Sequence, residues 1–290
     1  MPKSHVLLII LINIVWALNI VALKFNVLAL PPLAAASLRY VLVLLFCLPF
    51  LRSMTGRLPL LAGTALVAGA CYNGMNAIGF RVADNVASLA LAGQMGIPFA
   101  LLFGTVFLGE RISARRMLGI ALALAGVALI TFDARLFDER LGLFLVMIAC
   151  ACWAAGGLLF RKLQQDSVLS IHAWLAIFAL PWLVIFSLLL EPDGFATVPH
   201  LDGSAWGWFL FSALGSYILG HVGISWLLQR HPISTILPLT IPSPVLSVIF
   251  AAIAFDIPVT AELIGGSVLT LGGIAIITLD QSRSATAESS

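Results

Sequence analysis

Charge is what this chain has least of. Among 290 residues there are 15 Lys plus Arg and 13 Asp plus Glu, 10% in all, against about 25% in an ordinary soluble domain. That shortage excludes a soluble globular domain and a disordered chain, because too little polar surface exists to cover such a particle. Without a basic patch, nucleic acid is excluded as a partner. The four cysteines, Cys47, Cys71, Cys150 and Cys152, fall in apolar stretches. Cys150 and Cys152 are one residue too close for a zinc-type CxxC, so no metal is expected and the thiols read as small packing residues. There is no GxxxxGK[ST], HExxH or GxSxG, which argues against ATP hydrolysis and the common zinc and serine hydrolases. The expected protein is not an enzyme and needs no cofactor.

What the chain has in abundance is apolar length. The hydrophobic set makes up 61% and the mean hydropathy is +1.09. The few charges cluster and leave charge-free windows at 4–23, 58–80, 85–109, 117–132, 141–160, 167–190, 203–229, 231–255 and 263–279. A further apolar stretch at 33–51 is interrupted only by Arg39. About 20 apolar residues cross a bilayer as a helix, whereas barrel strands are half as long and alternate polar with apolar. The fold class expected is therefore all-α, a polytopic membrane protein of ten transmembrane helices embedded in the lipid bilayer. The first apolar run follows Lys3 but has no convincing cleavage site, so it reads as a retained helix.

Lys and Arg in short loops set the orientation. With the N-terminus in the cytoplasm, Lys3, Arg52, Arg57, Arg111, Arg115, Arg116, Arg161, Lys162, Arg230 and Arg283 lie inside, and Lys24, Arg81, Arg135 and Arg140 outside. Both termini are thus expected in the cytoplasm. The loop from Glu191 to Asp202 has acids and no base, as suits an outer loop.

Two stretches share an order of landmarks. Pro98 to Asp133 and Pro244 to Asp280 each run apolar to an acid (Glu110, Asp256), cross a polar loop and enter a Gly-rich span ending Thr-x-Asp. Gly119 aligns with Gly266 and Gly126 with Gly273. Trp16 and Lys24 align with Trp153 and Arg161 at a common offset. Five spans are repeated, and an odd number makes the second copy enter from the opposite side. The expected organisation is a first repeat at 1–133, a linker at 134–141, a second repeat at 142–280 and a disordered cytoplasmic tail at 281–290.

The run Leu108-Gly-Glu-Arg-Ile-Ser113 followed by Gly119 and Gly126 resembles the EamA-domain signature of the drug/metabolite transporter superfamily. Val15-Trp-Ala-Leu-Asn19 with Lys24, then Pro31-Pro32 and Leu38-Arg39-Tyr40, resembles the opening of that domain. The resemblance covers essentially the whole chain. Within the family it points to bacterial ten-helix inner-membrane exporters of amino acids and related metabolites, those of cysteine and O-acetylserine among them. The second copy departs from the pattern. Asp256 stands where the family usually has Glu, no Arg follows it, and no Arg matches Arg39.

Polar groups inside spans are the site candidates, because each needs a partner or a water-filled cavity. Asn13, Trp16 and Asn19 share one face of the first helix. Tyr72, Asn73 and Asn76 cluster on the third, and Gln94 precedes Pro98 on the fourth. Trp153 is the mate of Trp16. On the eighth, Ser212, Ser216 and Gly220 form one face, and Tyr217 and His221 another. Thr240 lies among Pro238, Pro242 and Pro244. The substrate cavity is expected to draw on Asn13, Trp16, Asn19, Tyr72, Asn76, Gln94, Trp153, Tyr217, His221 and Thr240. Interhelical hydrogen bonding is the competing role for the Asn, Ser and Thr members. Arg39 has three readings, snorkelling, pairing with an acid, or holding a substrate carboxylate. Lys24 reads as snorkelling, and Glu110, Arg111 and Ser113 as a helix start with Ser113 as the cap.

No acid lies mid-span, and His221 is the only deeply placed group whose unperturbed pKa lies near neutrality. The mechanism expected is alternating access around an aromatic and amide-lined cavity, coupled through His221 or uncoupled. The partner is a small molecule, an amino acid or derivative, moved outward. A lipophilic-cation exporter and a metabolite importer are the alternatives, and both a monomer and a homodimer stay open.

Overall fold

The computed structural model describes residues 2–109, 112–131, 139–163, 167–228, 230–231 and 233–289. Among them the regular structure is helical throughout. Nine helices among the described residues are long and apolar enough to cross a bilayer. They are α1 Lys3–Ala29, α2 Pro32–Phe50, α3 Leu58–Val82, α4 Val86–Leu108, α5 Ala114–Thr131, α6 Arg140–Phe160, α7 Val168–Leu190, α8 starting as Gly203–Ile224, and α10 Ala261–Asp280. The tenth apolar stretch is α9. It is broken into Ile233–Ile236, a 3₁₀ turn at Leu237–Thr240 and Pro242–Ala254. Three prolines in that stretch remove amide donors and prevent a continuous helix. The helix of α10 continues as backbone to Ser289, past Asp280, where a tail was expected.

The outer surface is apolar. Val106, Ile253 and Leu189 are each at least 70% exposed, as lipid-facing side chains are. The interior is instead rich in Ala, Gly and Ser, the small residues that let membrane helices approach. The α5–α10 contact shows how closely. A Cβ on Gly119 would meet the carbonyl of Gly273 at 2.7 Å, and one on Gly126 the carbonyl of Gly266 at 2.6 Å. Numbers rise along α5 as they fall along α10, so the two helices run antiparallel.

The other main packing pairs include α2 with α7, α3 with α6, α3 with α7, α1 with α8, α1 with α9, α4 with α6 and α4 with α9.

Acids at helix ends cap neighbouring helices. The Glu191 carboxylate accepts from the backbone N–H of Leu33 and of Ala34, both at 2.9 Å, where α2 begins and its dipole favours a negative charge. Glu139 accepts from the N–H of Asp84 and Asn85 at the start of α4. Ser113 Oγ accepts from the Arg116 N–H at 3.2 Å, the expected cap of α5, while Glu110 and Arg111 lie outside the described residues.

Lys24 corrects the sequence reading. It does not snorkel. It is 3% exposed, and its Nζ donates to the carbonyls of Phe80 and Ala83 at 3.0 and 2.7 Å and pairs with Asp84 at 3.0 Å. It closes the carbonyl end of α3 from α1, a partly buried use that needs such partners. Lys24→Met is expected to cost about 2–4 kcal/mol, because two buried carbonyls lose a charged donor. Thermal unfolding of the detergent-purified protein measures this, and an unchanged midpoint would refute it.

Candidate functional site

Two helices lose their regular pitch at membrane depth. In α3 the segment Ala65–Cys71 is π-helical, and in α8 so is Phe211–Gly220. Such widened turns leave carbonyls and side chains free to face a cavity. They border a cavity of about 340 Å³ whose walls include Trp16, Arg39, Tyr72, Trp153, His172, Tyr217 and His221.

A continuous polar cluster runs along its wall. Asn73, just past the α3 widening, donates from Nδ2 to the Gly69 carbonyl at 2.8 Å and to the Tyr40 hydroxyl at 3.0 Å. Its Oδ1 faces Arg39 Nη1 at 3.4 Å. The Arg39 guanidinium sits 5.6 Å from the centre of the Tyr217 ring, a cation–π distance. The Tyr217 hydroxyl lies 3.0 Å from His172 Nδ1. The His221 ring is 5.2 Å from Tyr217, 6.2 Å from His172 and 5.8 Å from Trp16. Among the described residues no carboxylate pairs with Arg39.

A second cavity, about 330 Å³, lies where α4 meets α9. Each of these helices carries a 3₁₀ turn there, Gly93–Met95 and Leu237–Thr240. Gln94 and Thr240 face it, and these two residues hold equal distances from the aligned Pro98 and Pro244. Cys150 Sγ lies 3.2 Å from the Gly93 carbonyl. Trp16, Tyr72 and Trp153 line both cavities and so form the partition between them.

Eight of the ten expected residues line one or both cavities. Trp16, Asn19, Tyr72, Trp153, Tyr217 and His221 border the first, and Gln94 and Thr240 the second. Asn13 and Asn76 do not. Asn13 Nδ2 donates to the carbonyls of Ile9 and Leu239 and ties α1 to α9. Asn76 borders a separate void of about 20 Å³. Arg39 faces the first cavity instead of snorkelling.

Two expectations are corrected. His221 is not the only deep imidazole. His172 is 8% exposed and lies beside it. It escaped notice because it comes four residues after the first residue of α7, where a helical count places it near the interface. The two separate faces expected on α8 merge. Ser216, Tyr217 and His221 all line the same cavity, because a π-helical turn does not keep the 3.6-residue period. Tyr40 was missed as well, its position next to Arg39 being the only available signal.

The EamA-like transporter family matches twice, over residues 3–132 and 140–279. The chain belongs to the EamA-like transporter family. It is 30% identical over 287 residues to a "Probable amino-acid metabolite efflux pump" of Salmonella typhimurium, with 95% of each chain covered. A protein of the same description from Escherichia coli K12 is 30% identical over 288 residues, again covering 95% of each. An "Uncharacterized transporter" of Archaeoglobus fulgidus is 26% identical over 272 residues, covering 90% of this chain and 94% of that one. A solved crystal structure superposes with a TM-score of 0.65 at 17% identity, covering 98% of this chain and 99% of its own, a likeness of fold. As a member of this family the chain is a multi-pass membrane transporter and not an enzyme. Among the described residues no group of three or more His, Cys, Asp or Glu is placed to hold a metal ion.

Proposed function

We propose that this EamA-family protein is a secondary carrier of the bacterial inner membrane that exports amino acids or their derivatives by alternating access. The observation that carries the reading is the first cavity. It joins one permanent cation, Arg39, to aromatic and amide walls, at a point where helices of both family matches lose their regular pitch. Discontinuous helices at matched places of two halves are where carriers bind their solutes. The relatives' descriptions as amino-acid metabolite efflux pumps agree with a solute that bears a carboxylate.

Two inverted halves, 1–133 and 142–280, are supported by packing in which α1 meets α8 as α3 meets α6, and α1 meets α9 as α4 meets α6. Gly119 and Gly126 of one half meet Gly273 and Gly266 of the other, as an interface that maps onto itself requires. With both termini cytoplasmic, the first cavity reaches the cytoplasmic helix ends at Thr64, Phe160 and His172, and Lys24, Asp84, Glu139 and Glu191 tie the opposite ends. Rocking of the halves would reverse that access. A C-terminal reporter active only in the cytoplasm is expected to be active, and an inactive one would overturn the orientation.

Counterflow in proteoliposomes tests the function. Labelled amino acids or derivatives should accumulate against an excess of unlabelled solute inside. Exchange of lipophilic cations alone would replace this reading with the drug-exporter one. The Arg39 charge already disfavours cations. The direction in cells follows from whether overexpression lowers or raises the internal pool. Coupling is tested at both imidazoles, since His172 and His221 are neighbours. If the double variant His172→Ala with His221→Ala keeps a proton-driven flux, coupling through the imidazoles is refuted.

A further inference from the structure

We propose that the first cavity selects solutes that carry a carboxylate and no cationic amine, such as amino acids acylated on nitrogen, over free zwitterionic amino acids. The proposal rests on the carrier reading above. Its ground is an imbalance of charge in the walls, one cation and no carboxylate among the described residues.

The strongest donor is only partly used. Arg39 is permanently charged, and its Nε is buried with no hydrogen-bond partner. Trp16 and Trp153 line the cavity, with the Trp16 indole nitrogen packed against Gly220. The walls hold no anion, and several of their acceptors are engaged. Among the described residues no Asp or Glu lines either cavity. Asn19 Oδ1 accepts from Ser212 Oγ at 3.1 Å, Asn73 Oδ1 faces Arg39, and His172 Nδ1 is held against the Tyr217 hydroxyl.

A carboxylate entering here gains a charge-assisted bond from Arg39, the strongest kind available to it. An ammonium group entering beside it meets the like charge of Arg39 and no anion. The ring faces of Trp16 and Trp153 offer it a cation–π contact, weaker than the hydration it gives up. The Tyr217 face is already turned to Arg39. Acylation removes the positive charge from nitrogen, keeps the carboxylate and adds apolar surface for the aromatic walls.

The experiment is competition in counterflow with the full chain in proteoliposomes, with protein-free vesicles as the background. Serine, leucine and phenylalanine are each compared as the free amino acid, the N-acetyl acid and the amide, which keeps the ammonium and lacks the carboxylate. N-acetyl acids are expected to compete about tenfold better than the free forms, about 1.4 kcal/mol, and amides not at all. Arg39→Gln should erase the preference for N-acetyl acids over amides. Free amino acids competing as well as or better than their N-acetyl forms would overturn the proposal and leave the carrier reading intact. Exchange of none of these compounds would overturn both.

Discussion

Gly126→Leu is expected to yield no folded, monodisperse protein, and Gly126→Ala to lose about 3 kcal/mol or more, in the range reserved for overpacked cores. The reason lies in what the added atoms would strike. A Cβ at Gly126 falls on Thr270 Oγ1 and comes within 2.6 Å of the Gly266 carbonyl and the Thr270 amide nitrogen. The last two are backbone, so nothing can swing aside, and relief requires α5 and α10 to separate along their whole contact. Gly272→Ala on α10 is the matched control. Nothing lies within 4 Å of a Cβ there, and replacing a helical Gly by Ala gains up to about 1 kcal/mol of helix propensity. Thermal unfolding of the three variants in one detergent decides the matter. If Gly126→Ala and Gly272→Ala unfold alike, the α5–α10 contact is not the close one described. Membrane association gives this contrast its size, because lipid offers no hydrophobic drive and close van der Waals approach has to supply the attraction.

The aligned glycines already pointed to α5 and α10 as matched helices, but not to their meeting each other. Spans were legible because length and apolarity are local properties and the bilayer sets a fixed threshold for both. The break between α1 and α2 was legible for the same local reason, since the apolar windows 4–23 and 33–51 lie on either side of it. Roles that depend on which helix lies opposite were not. Lys24 looks like any cation near a helix end until α3 is placed beside it with the carbonyls of Phe80 and Ala83 exposed to it. Asn13 looks like Asn19, yet one ties α1 to Leu239 of α9 and the other lines a cavity. His172 needed the tertiary fold to bring it against Tyr217 and His221. Tyr217 and Ser216 were assigned to different faces because a regular helix was assumed where the backbone widens. Cavity lining was inferred best where the stretches of the two family matches carry the same residue, as with Trp16 and Trp153, since coincidence of large aromatics at aligned positions is not a packing requirement of either stretch alone.

Arg39→Ala is expected to lower the exchange rate about a hundredfold or more, corresponding to loss of roughly 2.7 kcal/mol of charge-assisted binding, while the thermal midpoint moves by only a few degrees. The two halves of this expectation come from different observations. The guanidinium makes one long bond, 3.4 Å to Asn73 Oδ1, and a contact with the Tyr217 ring, and its Nε has no partner. Little of the fold therefore hangs on it, unlike Lys24 with its three short bonds. The cost of keeping an incompletely paired cation at membrane depth is instead offset when an anionic solute arrives, and that difference between empty and loaded states is the free energy a carrier can use. Arg39→Lys tests the geometry separately from the charge. A Lys keeps the positive charge but loses the planar fork that grips both carboxylate oxygens, so it should recover part of the rate and not all. A structural Arg39 would reverse the pattern, with the thermal midpoint collapsing in the Ala variant and the surviving folded fraction exchanging at the wild-type rate.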